Sequence, residues 1–409
     1  MADNIDKGLY QTGAPELEIL KSETEVEIDG QPIPSPEGLE IEMSEDGGAT
    51  LDFDPMSNIP EEVEFYSNLA EVMDERELDR LSDELLSELE NDRSSRKDWE
   101  DGYIKGLDLL GFKYEERTRP FQGASGVTHP LLAESATQFQ ATAFKELLPA
   151  GGPVRTVVMG EDTPEKYSQS QRVQEFMNYQ LMNKMEDYTP EYDQMLFYLP
   201  LAGSTFKKVY YDELMDRPVS KFVPAEDLVV NYGASDLDSC ERVTHIINMS
   251  YNDFRKKQVS GFYKDIEIIP SEVNRSEVQK KYDDIEGVKP SYIDKEVRLY
   301  EFHTSLDLEG FEDIGMDDEP TGIKIPYIVT IEDSSSKVVG IRRNYEKDDE
   351  KKLKKRYFVH YKFLPGLGFY GFGLIHLIGS LSRTATKILR QLIDAGTLSN
   401  LPAGFKSRG

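Results

Sequence analysis

Apolar residues recur along the chain in two rhythms, one helical and one strand-like. From Glu61 to Asp92, Leu69, Val72, Met73, Leu78, Leu81, Leu85 and Leu89 fall three and four apart, which predicts one face of a helix. A second helical stretch runs from Asp92 through Trp99 to Leu110 and ends at Gly111, a residue suited to stop it. After the loop RTRPFQGASGVTHP, a third helix is predicted from Leu131 to Leu148, closed by Pro149, Gly151 and Gly152. A fourth, rich in Gln and Met, covers Thr163 to Met185, and a fifth begins near Glu191.

Past Pro200 the period drops to two. Residues 204–211 alternate as a strand does, and 219–224 pair with them across a polar turn. Another strand is predicted at Val243–Asn248, followed by a helix start with Ser250 as N-cap and Asp253 in the first turn. Residues 264–295 are charged and weakly periodic, compatible with helix or loop. Strands return at 296–304, 327–332, 337–344 and 356–363, the middle pair joined by the turn 333–336, while the Lys-rich stretch 346–355 reads as a solvated loop. Leu374, Ile378, Leu381, Ala385, Ile388 and Leu392 then form one helical seam, expected to pack. Arg383, Lys387 and Arg390 lie on roughly the opposite side, expected to face water or a polyanion. Residues 374–394 make a rod of roughly 30 Å, expected to stop at Gly396. Helices and strands are segregated rather than alternating, so the expected class is α+β.

Charge redraws this picture at one end. The chain of 409 residues has a formal net charge of -30, and its first 92 residues hold 28 Asp and Glu against 4 Lys and Arg. Residues 1–60 are dense in Glu, Asp, Pro and Gly, with isolated apolar residues that cannot repay ordering, so an acidic disordered tail is expected. Such a tail solvates the chain or engages a partner. Cys240 is the single cysteine, which rules out an intrachain disulfide and a cysteine zinc site and suggests folding in a reducing cytoplasm. The start, MADNIDKGLY, lacks the pattern of a signal peptide, and no apolar run approaches the length of a membrane span.

Chemistry-bearing motifs are sparse. GlyLeuGlyPheTyrGly at 366–371 matches G-x-G-x-x-G between a strand and a helix, with Asp394 further on. A dinucleotide fold needs a second parallel strand ending near that acid, whereas Asp394 lies within the predicted helix and loop follows it. A flexible turn feeding a long helix is the better account. Walker, H-E-x-x-H and G-x-S-x-G patterns are absent, and His129, His245, His303, His360 and His376 are dispersed without metal-ligand spacing. Nothing designates a catalytic, cofactor or metal site, so a non-enzymatic chain without cofactor is expected. The acidity also argues against general DNA binding, since phosphate neutralisation supplies most of that affinity.

The segment 358–381, PheValHisTyrLysPheLeuProGlyLeuGlyPheTyrGlyPheGlyLeuIleHisLeuIleGlySerLeu, continuing to GlnLeuIleAspAlaGlyThrLeuSerAsnLeuPro at 391–402, resembles tailed-bacteriophage portal proteins. The stretches 201–211 and 217–230, the latter holding Pro224, Glu226 and Asp227, resemble that family's wing hairpin and its continuation. The resemblance covers about residues 95–409. It implies a helical wing with a β-rich insert at 61–250, a first stem helix and linker at 251–295 with the helix at Tyr251–Tyr263, and an α/β clip at 296–363. A second stem helix and the start of the tunnel region follow at 364–409. Gly366, Gly368, Gly371 and Gly373 become the clip-to-stem hinge, where a sharp bend needs backbone without Cβ. Family chains continue past this point, so the chain resembles a portal protein lacking its C-terminal half.

The function so implied is structural: a ring subunit, dodecameric by analogy, at one capsid vertex of the virion, assembled in the host cytoplasm. It passes double-stranded DNA without sequence specificity during packaging and ejection. The implied partners are further copies of itself, the terminase large subunit, tail adaptors, and capsid and scaffolding proteins, with no membrane. Arg383, Lys387 and Arg390 either steady DNA along a channel wall or form intersubunit salt bridges. Another ring-forming connector or tail adaptor is the alternative; a nucleotide-binding enzyme using the 366–371 turn is a further one.

Overall fold

The computed structural model describes residues 40–43, 49–52, 63–112, 115–161, 163–212, 215–268, 275–287, 296–315 and 319–400. It divides into two units, residues 1–58 and 59–409. In the first, β1 (Glu40–Met43) pairs antiparallel with β2 (Ala49–Asp52). The rest of the tail expected at 1–60 lies outside the described residues.

The second unit is mixed helix and sheet, of the α+β class, with eight helices and two antiparallel sheets among the described residues. It opens with α1 (Glu75–Ser95) and α2 (Lys97–Leu107). Asp74 caps α1 by accepting from the Arg76 amide, and Glu75 and Glu77 favour its positive end. The helix therefore starts later than the apolar spacing from Glu61 suggests. Next come α3 (Leu131–Leu147), α4 (Pro164–Tyr179) with a π-turn at Gln180–Lys184, and α5 (Tyr188–Ala202).

The chain then forms β3 (Ser204–Asp212), β4 (Arg217–Pro224), β5 (Leu228–Val229) and β6 (Arg242–Ser250). The expected hairpin is present, with Thr205 opposite Pro224 and Asp212 opposite Arg217. Ser250 caps α6 (Tyr251–Val259) as its spacing indicates, accepting from the Asp253 amide at 3.1 Å. Within 264–295 lies α7 (Glu277–Glu286), entered through a capping box of Ser276 and Gln279 and closed by Gly287. The strands β7 (Glu296–Leu306), β8 (Ile325–Glu332), β9 (Val338–Arg343) and β10 (Phe358–Lys362) precede α8 (Leu374–Asn400). This last helix runs through Gly396, correcting the expected stop, because the glycine keeps helical backbone and meets nothing within 4 Å.

Strand pairing departs from the wing and clip boundaries. One sheet has the order β5-β6-β7-β8-β9 and the other β10-β3-β4. Residues 296–343 thus extend a sheet begun at 228–250, and 358–362 close on the hairpin at 204–224, so 296–363 is no separate layer. One edge of β6 is satisfied by β7 and one edge of β3 by β10, both distant in sequence. The helix expected at Tyr251–Tyr263 is shorter than that range. Helix α6 has nine residues, is ended by the turn at Ser260 and Gly261, and packs on β6 and β7 through Phe254.

Three apolar clusters hold the unit. Leu78, Leu81, Leu85 and Leu89 of α1 cover one face of the larger sheet, against Tyr300, Phe302, Tyr327 and Val329. Asn68 finishes that sheet's β9 edge: its side-chain amide donates to the Val339 carbonyl, and its oxygen accepts from the Ile341 amide. On the other face, Val297 and Leu299 meet Phe254 and Tyr263. A third cluster joins α2, α3, α5 and the start of α8 to the smaller sheet through Trp99, Tyr103, Leu132, Phe206, Phe369 and Ile375.

Candidate functional site

The region with the most specific sequence signal, 364–400, is built around Tyr370. Its ring stacks on Trp99 with centroids 4.5 Å apart, and its hydroxyl receives hydrogen bonds from Arg96 at 3.0 Å and the Val230 amide at 3.2 Å. Arg96 is buried and also donates to the carbonyls of Ala225, Glu226 and Leu228. The segment after β4 is thereby wrapped around one guanidinium, which matches its planar donor fork to several carbonyls. Burial and the neighbouring Asp227 push the Glu226 carboxyl up to about 7.

The four glycines expected as a hinge lie where other chain passes close. A Cβ on Gly366 would stand 2.1 Å from the Tyr370 carbonyl oxygen, and one on Gly373 the same distance from that of Leu201. On Gly371 it would meet the Gly203 oxygen at 2.4 Å, and on Gly368 the Tyr232 ring at 2.6 Å. None of the four has positive φ. Close approach of other chain leaves no room for a Cβ at these positions. The Phe369, Gly371, Phe372 and Gly373 amides all donate, to the Tyr232 carbonyl, Ser204 Oγ, the Leu364 carbonyl and His376 Nδ1. The strand before the turn, β10, pairs antiparallel with β3, helix α8 follows the turn, and no strand follows α8 among the described residues. A dinucleotide site does not fit there.

The seam of α8 packs only at its start, where Leu374 and Ile378 lie against the core, and further along the helix buries a line of smaller residues about 100° round from it. Ile375, Gly379, Ser382 and Thr386 point inward. Leu377, Leu381, Ile388 and Leu392 are 50%, 61%, 52% and 66% exposed. Size contributes: Gly379 lets the helix approach Leu109, whose side chain a Cβ at 379 would meet at 3.4 Å. Along the inner edge, Thr386, Arg390 and Asp394, spaced by four, bind the loop 115–130. Thr386 Oγ1 accepts from the His129 amide at 3.0 Å and Asp394 from the Ser125 amide at 2.7 Å. Arg390 donates to the Val127 carbonyl at 2.6 Å and to Thr128 Oγ1 at 3.0 Å, and pairs with Glu115 at 3.0 Å.

Within the chain, Arg390 is therefore a strap between α8 and the loop 115–130. Arg383 and Lys387 are exposed and carry no hydrogen bond or ion pair among the described residues. They lie on the side of α8 away from Leu381, Ile388 and Leu392.

Folding also assembles a cluster that sequence spacing does not reveal. His245 and His303 converge on Glu301, with His303 Nε2 at 2.6 Å from the carboxylate and His245 Nδ1 at 4.0 Å. Lys208 reaches the same oxygen at 2.5 Å from the other sheet. Burial opposes the charge, but Lys208 and His303 hold the Glu301 carboxyl well below its usual range. Burial, with Lys208 beside it, pushes His245 down to about 3. No three His, Cys, Asp or Glu among the described residues are arranged to hold a metal. The cluster ties the two sheets together. A nearby cavity of about 50 Å³, lined by Cys240, His303, Asn344 and Lys354 among others, has room for water rather than a cofactor. Only the pairing register, Glu301 opposite His245, would have shown this convergence.

No family model matches the chain, and no curated protein matches it. Among the described residues no helix is long and apolar enough to cross a membrane.

Proposed function

We propose that the chain is a structural, non-enzymatic subunit of a portal ring. The ring stands at one vertex of a viral capsid and passes double-stranded DNA during packaging and ejection. The observation that carries this reading is α8: a helix of 27 residues that packs internally through Ile375, Gly379, Ser382 and Thr386 and leaves the later part of its apolar seam, Leu381, Ile388 and Leu392, open. A long amphipathic helix with its larger apolar face unpartnered is completed by another surface, and in a ring that surface is a neighbouring copy. The likeness of 358–402 to portal stems supplies the rest.

In such a ring the packaging ATPase is an external terminase, and tail adaptors, capsid and scaffolding proteins are the other partners. No cofactor is involved. DNA must slide, so the wall carries few strong phosphate contacts; Arg383 and Lys387 are the cations of α8 left available, and Arg390 is not. Negative-stain microscopy with native mass spectrometry of the purified chain tests the reading. Rings with a central hole, dodecameric by analogy, are expected, and compact monomers at all concentrations refute it. Because α6 is short and lies on the sheet instead of beside α8, a different ring-forming connector or tail adaptor is the second reading. Binding of a terminase large subunit to the rings distinguishes a portal from such a connector.

A further inference from the structure

A carboxyl group that the channel reading leaves unused lies buried where α2, α5 and α7 meet. Glu226, in the segment between β4 and β5, is 5% exposed, and its Oε2 has no hydrogen-bond partner. The Tyr282 hydroxyl of α7 donates to this carboxyl and lies 2.8 Å from the Tyr103 hydroxyl of α2. Tyr198 of α5 stands edge-on to the Tyr282 ring, with centroids 6.1 Å apart. The charged groups facing Glu226 are Asp227 beside it and Arg96. Arg96 spends its donors on the carbonyls of Ala225, Glu226 and Leu228 and on the Tyr370 hydroxyl.

Burial pushes all three phenols up, Tyr198 to about 12, so they keep their protons near neutrality. It raises Asp227 to about 6, against the pull of Arg96 and Arg298. Around neutral pH, Glu226 is therefore the group of this junction that changes charge. Ionised in place, it holds a buried oxygen that no donor solvates, which protonation or access of water relieves. Water enters only if a covering element moves, and α7 is the least anchored. Val278 is its buried residue, Tyr282 and Ile285 lie partly buried against the core, and Lys281 pairs with the half-exposed Asp108 at 2.5 Å. By contrast α2 buries Trp99, Tyr103, Gly106 and Leu107, and α5 buries Met195, Leu196 and Leu199 among others. A lone helix of ten residues is marginal in water, so α7 keeps its shape through this docking.

We propose that α7 is a proton-controlled latch: it lies closed over Glu226 while that carboxyl is protonated, and lifts to admit water when the carboxyl ionises. Lifting uncovers Val278 and Tyr103, which the closed form buries. The latch belongs to the single subunit and does not rest on the ring reading. The closed form binds the proton more tightly than the open form, in which Glu226 has its ordinary value of 4.5. Closure is thus strongest below about pH 4.5 and weakens as pH rises through about 7.

Hydrogen exchange of the α7 amides in the full chain tests this, with rates corrected for the intrinsic effect of pH. From pH 6 to 8 the wild-type helix is expected to lose about tenfold in protection. The Ser125 and His129 amides, held by α8, are expected to keep theirs. Glu226→Gln is neutral at every pH and is expected to hold α7 closed, with level protection across that range. Tyr282→Phe keeps the ring and removes a donor that favours the carboxylate, so the step is expected to persist with its midpoint moved upward. Level protection in the wild type, or an unchanged step in Glu226→Gln, overturns the latch. Equal loss at Ser125 and His129 also overturns it, since the whole unit then opens together. If Glu226→Gln fails to fold, Tyr282→Phe decides alone, and an unshifted midpoint overturns the proposal.

Discussion

Replacing Arg390 by methionine tests how α8 is held. The substitution keeps the apolar stem and removes the guanidinium. Two short hydrogen bonds from a charged donor are lost, to the Val127 carbonyl and Thr128 Oγ1, while the bond to the Gly126 carbonyl at 3.4 Å is already long. Bonds of this type contribute about 1.5–3 kcal/mol each, and the low end applies because the side chain retains some access to water. Glu115 is half exposed and adds about 0–1 kcal/mol. The loss is about 3 kcal/mol. With a urea slope of about 3 kcal/mol per molar, the midpoint falls by about 1 M.

Hydrogen exchange locates the effect. The Ser125 and His129 amides, bound to Asp394 and Thr386, are expected to exchange on the order of 100-fold faster, at 1.4 kcal/mol per factor of ten. Arg383→Met and Lys387→Met are expected to leave stability unchanged within about 0.5 kcal/mol. Equal effects of all three substitutions, or unaltered exchange in Arg390→Met, would refute the strap.

Gly373→Ala drives a methyl into the Leu201 carbonyl, which cannot move aside, and is expected to cost about 3 kcal/mol or more, seen as a lowered Tm. Gly396→Ala, in open helix, is expected to raise stability by up to about 1 kcal/mol in the same assay. Tyr370→Phe leaves the buried Val230 amide without its acceptor and is expected to cost about 1–3 kcal/mol by urea unfolding. Glu226 has its folded pKa raised from 4.5 to about 7, so the folded state binds the proton more tightly. Its contribution is full below about pH 4.5 and is lost as pH rises through about 7, so Glu226→Gln is expected to flatten the fall in stability over that window.

Local signals were readable wherever the chain supplies its own geometry. Ser250 caps a helix because its hydroxyl reaches an amide three residues away, and 333–336 turns because its flanking strands pair with each other. The capping box at Ser276 was equally local, and was obscured by the charge density of 264–295. Long-range facts were not readable. Nothing in PheValHisTyrLys says that β10 pairs with β3, or that β6 and β7 join across two intervening helices. The α8 seam shows the deeper limit. Periodicity reports which side of a helix is apolar, but not whether the surface that covers it belongs to the same chain. The polar line Thr386, Arg390 and Asp394, at spacings of four, was the available sign that the opposite face was in use.

The energetics of the seam bear on what a ring contact must contain. Fully burying a Leu or Ile side chain returns about 1.5–3 kcal/mol. Leu377, Leu381, Ile388 and Leu392 are already about half covered, so covering the rest returns roughly 3–6 kcal/mol. Association alone costs an estimated 4–15 kcal/mol in lost freedom of motion. The seam by itself therefore stands near break-even, and a ring that survives dilution has to bury more apolar surface at the same contact.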